Sequence, residues 1–553
     1  MRRPEVMGAN VSNYGEVHAR IAPFIRQFRK RQGVLLNAEC NALTEGVGNA
    51  TPATPPAQPF STPLAGPEPC AERPYIVAAD VKGAFDSIPL EALEKVAVDL
   101  VTSSEYDVQR LTRVNGGVTG GFRTKTTREA IQVGGGVEVP RTAGTGGNAT
   151  ATDTTTATAT ATVPPHSNNS SGVLIDLASP SRVHKTRITE LLREHLRRNV
   201  VRSGGVYLLQ KIGIPQGSVL STLLCGVFYA HLEKAHGLGD IRGGDAGGVG
   251  VAGSIGAGTS ADKTHTNRPY EKPQPVLCRW TDDLLFLSGD RVRAEGFLQS
   301  AIDGFKAYGC VLNPGKTKLN FGLSKDKGTP TKSKSVAKYV AWCGLLIDSS
   351  NLELTADYTR YAGDFVREAV TTTGRFGAGK AVGNPFATLS RRLIYYLRPK
   401  CITILYDSSV NSPLTCRVNV YQNFLLAAIK THCFLVASSS SGGNTCMGKN
   451  SGESSSSGYL SSPNMLHAIT SGVEYMERAV RRISRKKSIS KAHVKFLGLT
   501  AFLKTFQKKP TRHVETIKSL KKMLNTYQMR VAYAHLKPVI DDSRNDVFRE
   551  IRF

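Results

Sequence analysis

Three acidic residues in two apolar settings constrain this chain more than any other feature. Asp80 closes the run Tyr75-Ile-Val-Ala-Ala-Asp80, and Asp282 and Asp283 sit inside Val276-Leu-Cys-Arg-Trp-Thr-Asp-Asp-Leu-Leu-Phe-Leu287. Apolar runs of this length read as buried strands. Carboxylates in such surroundings are costly unless they are paired or hold a metal. Three of them on two stretches predict a magnesium site of the kind used in phosphoryl transfer. The plainer reading of Asp282-Asp283 is a tight turn, which is how Asp541-Asp542 reads in its polar tail.

Charge points the same way. Lysine and arginine total 71 against 44 aspartates and glutamates, a formal charge of +27 over 553 residues. That excess suits a polyanionic partner and argues against an acidic one. The length accommodates roughly three domains at about 150 residues each. The ten cysteines form no Cys-x-x-Cys pair, which argues against zinc. Most lie in apolar stretches, as buried free thiols of a reducing compartment do. No apolar run approaches the roughly 18 residues of a membrane helix, and the start Met1-Arg-Arg-Pro-Glu5 lacks a signal-peptide core. An intracellular protein, cytoplasmic or nuclear, is expected.

Four stretches stand apart: the Thr/Pro/Ala-rich 45–70, the Gly- and Thr-Ala-rich 134–172, the Gly-rich 237–272 and the Ser/Gly-rich 437–463. None has the apolar content to offset the entropy of ordering it, so all four are expected to be disordered insertions. A folded domain can carry them, because loop closure costs little with length.

Between them, residues 12–36 have a basic helical pattern with Ile21, Phe24, Ile25 and Phe28 on one side. A strand over 75–81 leads through Ser87-Ile-Pro-Leu90 into a helix to about 100. Further helices are expected over 182–200, 218–235 and 293–308. Strands are expected over 206–212, 276–288 (a hairpin), 317–322 and 341–348, with a mostly helical pattern from about 357. The fold class is α+β, an antiparallel sheet with packed helices followed by an all-α region. The expected layout is a basic helical segment over 1–44, a catalytic domain over 71–356 and a helical domain over 357–553.

The loop Gly213-Ile-Pro-Gln-Gly217 adds a second element. Pro215 and Gly217 shape a backbone that a ligand can approach closely. With a helix expected to begin at Ser218, its free N–H groups suit a nucleotide or a nucleic-acid backbone. A simple capped helix start fits the same residues.

Taken in order, Asp80-Val-Lys-Gly-Ala-Phe-Asp-Ser-Ile-Pro89, Gly213-Ile-Pro-Gln-Gly-Ser218 and Asp282-Asp283 resemble motifs A, B and C of reverse transcriptases. Three further blocks resemble the telomerase reverse transcriptase family more narrowly. They are Ser221-Thr-Leu-Leu-Cys225, Tyr308 to Phe321 (motif D) and Trp342-Cys-Gly-Leu-Leu-Ile-Asp348 (motif E). Leu397-Arg-Pro-Lys-Cys401, Val410-Asn-Ser412 and Asn419-Val-Tyr421 resemble that family's helical thumb extension. The resemblance covers most of the chain outside the four insertions.

The resemblance implies a reverse-transcriptase palm, a helical thumb and RNA-directed DNA polymerase activity. It makes Asp80, Asp282 and Asp283 the holders of two Mg2+ ions. Lys316 would sit by the leaving pyrophosphate as charge partner or acid. Val81, Phe85, Gln216 and Gly217 would line the nucleotide pocket, with the Phe85 ring excluding a 2′-hydroxyl by clash. Trp342, Cys343 and Gly344 would grip the primer. Core packing of Phe85 and Trp342 and a solvated Lys316 are the plainer readings.

The basic clusters Arg478, Arg481, Arg482, Arg485, Lys486, Lys487 and Lys508, Lys509, Arg512, His513 fit duplex phosphates, a solvated face or a nuclear import signal equally. Expected partners are a telomerase RNA template, a telomeric single-stranded DNA primer and deoxynucleoside triphosphates, at the telomere in the nucleus. No region before the palm is visible; residues 8–36 resemble the stretch just ahead of motif A, so a truncated start is expected. A retroelement-type reverse transcriptase and a non-catalytic nucleic-acid-binding fragment are the competing readings.

Overall fold

The computed structural model describes residues 4–45, 73–116, 122–132, 172–176, 181–238, 273–323, 337–370, 385–440, 462–483, 489–528 and 536–553. Apart from their edges, the four expected insertions lie outside these residues. At four edges regular structure reaches into them: helices run on to Glu45 and Ser440, a strand begins at Gly172 and a helix begins at Ser462.

In chain order the strands are β1 (Tyr75–Lys82), β2 (Glu105–Gly116), β3 (Phe122–Gln132), β4 (Gly172–Asp176), β5 (Ser181–His184), β6 (Val200–Ser203) and β7 (Val206–Leu209). They continue as β8 (Val276–Trp280), β9 (Asp283–Ser288), β10 (Val311–Leu312), β11 (Lys318–Leu319), β12 (Tyr339–Trp342), β13 (Leu345–Asp348) and β14 (Leu354–Ala356). The chain divides into two compact units, Met1–Ala84 with Tyr229–Phe553, and Phe85–Phe228.

The first unit is built on an antiparallel sheet in the order β10-β1-β9-β8, with β11 also pairing β1. β1 is buried from its second to its seventh residue, and because successive side chains point to opposite faces, both faces of the sheet are covered there. This is why its sequence is a continuous apolar run rather than an alternating one. The helix Arg291–Ala307 covers the sheet with Ala294, Phe297, Leu298, Ala301 and Phe305, spaced for one face. Phe286 and Phe297 stack with centroids 4.2 Å apart. Asp290 caps this helix, its carboxylate accepting from the Val292 amide at 2.9 Å.

A second sheet, β12-β13-β14, continues the same core into the C-terminal helices. Residues 341–348, read as one strand, instead form the hairpin β12–β13, turning at Cys343-Gly344. The helices Pro385–Leu397, Pro413–Ser440, Ser462–Ile483, Lys491–Gln507 and Pro510–Gln528 pack around Tyr421, Phe424, Met476, Leu497 and Phe502, all essentially buried. Three asparagines explain the polar positions of this apolar block. Asn411, Asn419 and Asn423 donate to the carbonyls of Ile404, Leu405, Leu354 and Leu397 at 2.9–3.1 Å, groups that burial would otherwise leave unpaired.

No apolar run of membrane length was expected, yet the helix Pro413–Ser438 is long and apolar enough by composition. Its most apolar window is 83% buried, as in a core helix.

The second unit contains the sheet β3-β2-β4, with β5 also on β2, and the hairpin β6–β7. The long β2–β3 hairpin had no counterpart in the sequence reading. The expected helix over 182–200 resolves into β5, the helix Lys185–Arg197 and β6. Glu94, on the helix Leu90–Asp99, binds Arg193 at 2.9 Å and Arg197 at 2.6 Å. Burial raises the Glu94 carboxyl, but the two guanidinium partners outweigh it and hold it below the ordinary range.

Candidate active site

The β8–β9 hairpin delivers the paired aspartates. Trp280 pairs with Asp283, leaving Thr281-Asp282 as a two-residue turn. The Asp282 amide donates to the Trp280 carbonyl at 2.9 Å. Thr281 sits at φ +61°, which a β-branched residue adopts only when its surroundings dictate it. β9 in turn pairs with β1 in a register that sets Asp80 opposite Asp283. Directly opposed residues of an antiparallel pair share one face. Asp80 and Asp283 are therefore neighbours on one face, and Asp282 is in the adjoining turn.

The electrostatics follow from that crowding. Burial pushes the Asp283 carboxyl up to about 6, and the charges of Asp282 and Asp80 push it the same way. Asp282 is raised chiefly by burial, with Asp80 adding to it. Lys316 lies 3.0 Å from Asp80 Oδ2, and this hydrogen bond holds its ammonium above the ordinary lysine value. The Asn313 amide donates to the Asp80 carbonyl at 2.7 Å, and its side chain lies 3.4 Å from Asp80 Oδ2. The Asn313–Thr317 turn thus carries Lys316 to the end of β1.

The Cys343-Gly344 turn reaches the same aspartates. Trp342 Nε1 donates to the Asp283 carbonyl at 3.3 Å, and the Cys343 thiol approaches Asp283 Oδ2 at 3.5 Å. Burial, then Asp283, keeps that thiol protonated. Cys343 at φ +44° and Gly344 at φ +74° form a two-residue turn with both central residues left-handed. Of the residues expected at the site, Asp80, Asp282, Asp283, Lys316, Trp342, Cys343 and Gly344 come together in the first unit. Val81 is buried beside Asp80 and pairs with Leu312.

Phe85, Gln216 and Gly217 belong to the second unit. There the Gly213 amide donates to Ile88 O at 3.0 Å and the Ile214 amide to Phe85 O at 2.8 Å. A Cβ on Gly213 would lie 2.6 Å from Phe85 O and from Asp86 Cα, so only glycine permits this approach. Phe85 is half-buried, whereas Gln216 and Gly217 are exposed. Gln216 Nε2 reaches Asp86 Oδ2 at 3.5 Å. The helix expected from Ser218 begins at Ser221, whose hydroxyl donates to the Pro215 carbonyl. Ser218 instead lies 3.1 Å from His195 Nε2.

Several supporting residues were missed. Arg279 is fully buried, 2.5 Å from Glu233, and donates to the Thr281 carbonyl at 2.8 Å. Glu233 also accepts from the Ala9 amide at 2.7 Å. Each is a lone acid or base in an apolar element, and that was the available signal: such charges require a partner. Lys400, 3.3 Å from the Gly344 carbonyl, carried no comparable signal. Among the basic clusters, Arg478, Arg482, Lys508, Lys509 and Arg512 are exposed, while Arg485, Lys486 and Lys487 lie outside the described residues. His513 does not join its cluster: it is buried against His432.

Among the described residues, no three His, Cys, Asp or Glu side chains enclose a metal ion as they stand. The donor chemistry nevertheless fits magnesium, which takes one or two carboxylates and completes its shell with water and phosphate oxygens. Mutually repelling carboxylates with raised proton affinity are the groups a divalent cation would relieve.

The family model for the telomerase reverse transcriptase C-terminal extension matches residues 387–521. The chain is 26% identical over 571 residues to the telomerase reverse transcriptase of Oryza sativa subsp. japonica, covering 100% of this chain and 37% of that protein. Against the Arabidopsis thaliana protein it is 26% identical over 546 residues, covering 96% of this chain and 40% of the relative. The chain thus spans about two fifths of the length of these relatives. A solved telomerase from Candida albicans, in complex with a fragment of telomeric RNA, aligns over 94% of this chain and 54% of its own. The identity is 12% and the TM-score 0.45. The chain is a relative of the telomerase reverse transcriptases and carries that family's C-terminal extension.

Proposed function

We propose that this chain supplies the palm and C-terminal extension of a telomerase catalytic subunit, which adds deoxynucleotides to the 3′ end of chromosomal DNA on an RNA template. The observation that carries the reading is the opposed pair Asp80 and Asp283, with Asp282 adjoining, Lys316 on Asp80 and the Trp342–Gly344 turn bonded to Asp283. Asp80, Asp282 and Asp283 would hold two magnesium ions, which when bound activate the primer hydroxyl and offset charge on the leaving oxygen. Lys316 would place its ammonium by the departing pyrophosphate, moving from Asp80 once the carboxylate has a stronger partner. The Trp342–Gly344 turn would orient the primer end, and Phe85 would exclude the 2′-hydroxyl of a ribonucleotide. The partners would be a telomerase RNA, a telomeric DNA primer and deoxynucleoside triphosphates, in the nucleus at telomeres.

The test is primer extension with a telomerase RNA supplied as template. Asp282→Ala is expected to lose extension on the order of 10³-fold while DNA binding persists. Equal activity in the variant refutes the site, and no extension by the parent chain refutes the activity.

A further inference from the structure

One short segment touches both turns on which the proposed reaction depends. Residues Ala9 to Val11 run alongside β8: the Arg279 amide donates to the Ala9 carbonyl and the Val11 amide to the Arg279 carbonyl, each at 2.8 Å. This sets the side-chain oxygen of Asn10 against the aspartate-bearing turn. Asn10 Oδ1 lies 3.3 Å from the Thr281 amide and 3.5 Å from Arg279 Nη1. Four residues on, the Tyr14 hydroxyl donates to the Cys343 carbonyl at 2.6 Å, so it reaches the other turn. The Tyr14 ring meanwhile packs on Trp280, centroids 4.9 Å apart, at the base of the first turn.

The segment is itself stiffened. The Glu16 amide donates to Asn13 Oδ1 at 3.0 Å, and Glu16 accepts from the Ser12 amide at 2.7 Å and from Asn13 Nδ2 at 2.8 Å. Tyr14 therefore sits on a closed helix start, and Asn10 is held ahead of it by the pairing of Ala9 and Val11 with Arg279. Both turns hold a non-glycine residue at positive φ, Thr281 and Cys343, a geometry that persists only when neighbours over-determine it.

Resting on the function proposed above, we infer that Asn10 and Tyr14 are positioning residues that fix the aspartate turn and the Trp342–Gly344 turn in one register. Neither touches a reacting atom. They set the separation between the carboxylates and the primer end, a distance to which the rate of in-line attack is steeply sensitive.

The chain's two tryptophans, Trp280 and Trp342, make this testable without catalysis. In a Trp280→Phe background, emission reports Trp342 alone, which is 4% exposed. Adding Tyr14→Phe keeps the ring and removes only the hydroxyl. Acrylamide quenching of Trp342 is expected to rise about two- to threefold, the scale of one lost hydrogen bond, with the melting temperature within about 3 °C of the parent. In primer extension, Tyr14→Phe and Asn10→Ala are each expected to lower kcat about tenfold with the deoxynucleotide KM within about twofold of the parent. Quenching and kcat both at parental values overturn the inference. So does a fall in melting temperature that accounts for the loss, which would make the segment merely structural. If the parent chain extends no primer, the proposed function fails, and the quenching arm still decides the positioning claim.

Discussion

Asp80 and Asp283 face each other directly across β1 and β9, and Lys316 Nζ lies 3.0 Å from Asp80 Oδ2. Strand pairing, not sequence proximity, makes these carboxylates neighbours. Lys316 is well exposed, so its ion pair adds little to the fold. Its value would lie in the reaction. Lys316→Ala is expected to leave the melting temperature unchanged and to lower the primer-extension rate about 10²-fold, with partial recovery in Lys316→Arg. Steady-state rates within twofold of the parent would reduce Lys316 to a cover for Asp80.

The buried Arg279–Glu233 pair stands behind the aspartate turn. Removing one partner strands the other charge in the core. Arg279→Met or Glu233→Gln alone is expected to cost about 3–5 kcal/mol in urea unfolding, with much of it recovered in Arg279→Met/Glu233→Leu. A single variant costing under about 1 kcal/mol would mean that water reaches the pair.

The His432–His513 pair makes acid stability a local property of the C-terminal helices. The two rings bond at 2.9 Å, which requires one nitrogen to accept. Burial holds both at about 4; for His432 the charge of His513, Lys509, Arg512 and Arg367 adds to it, and for His513 that of Arg512. An unfolded histidine titrates near 6.5. The folded value is the lower one, so the stability the pair gives is fully present above about 6.5 and is lost as pH falls through about 4. Urea midpoints of the parent should fall over that window more steeply than those of His432→Phe/His513→Phe. Parallel curves for the two proteins would show that the pair is not linked to folding.

Local pattern alone was enough for β1, β7, the β8–β9 hairpin and most of the helices, though not for the β2–β3 hairpin, and it marked the aspartates as charges that need partners. These rest on local apolar periodicity and on the rule that a charge in an apolar run needs a partner. Asp80, Asp282 and Asp283 were legible for that reason, and so in principle were Arg279 and Glu233. The Cys343-Gly344 hairpin is set by long-range packing, since Tyr339 to Asp348 is equally apolar read as one strand or two. Long-range packing likewise buries His513 as a neutral ring rather than part of a basic face, and brings Asn10 and Tyr14 to two turns more than 260 residues away. Such roles depend on which neighbours long-range pairing supplies, and a residue's type and local spacing do not encode that.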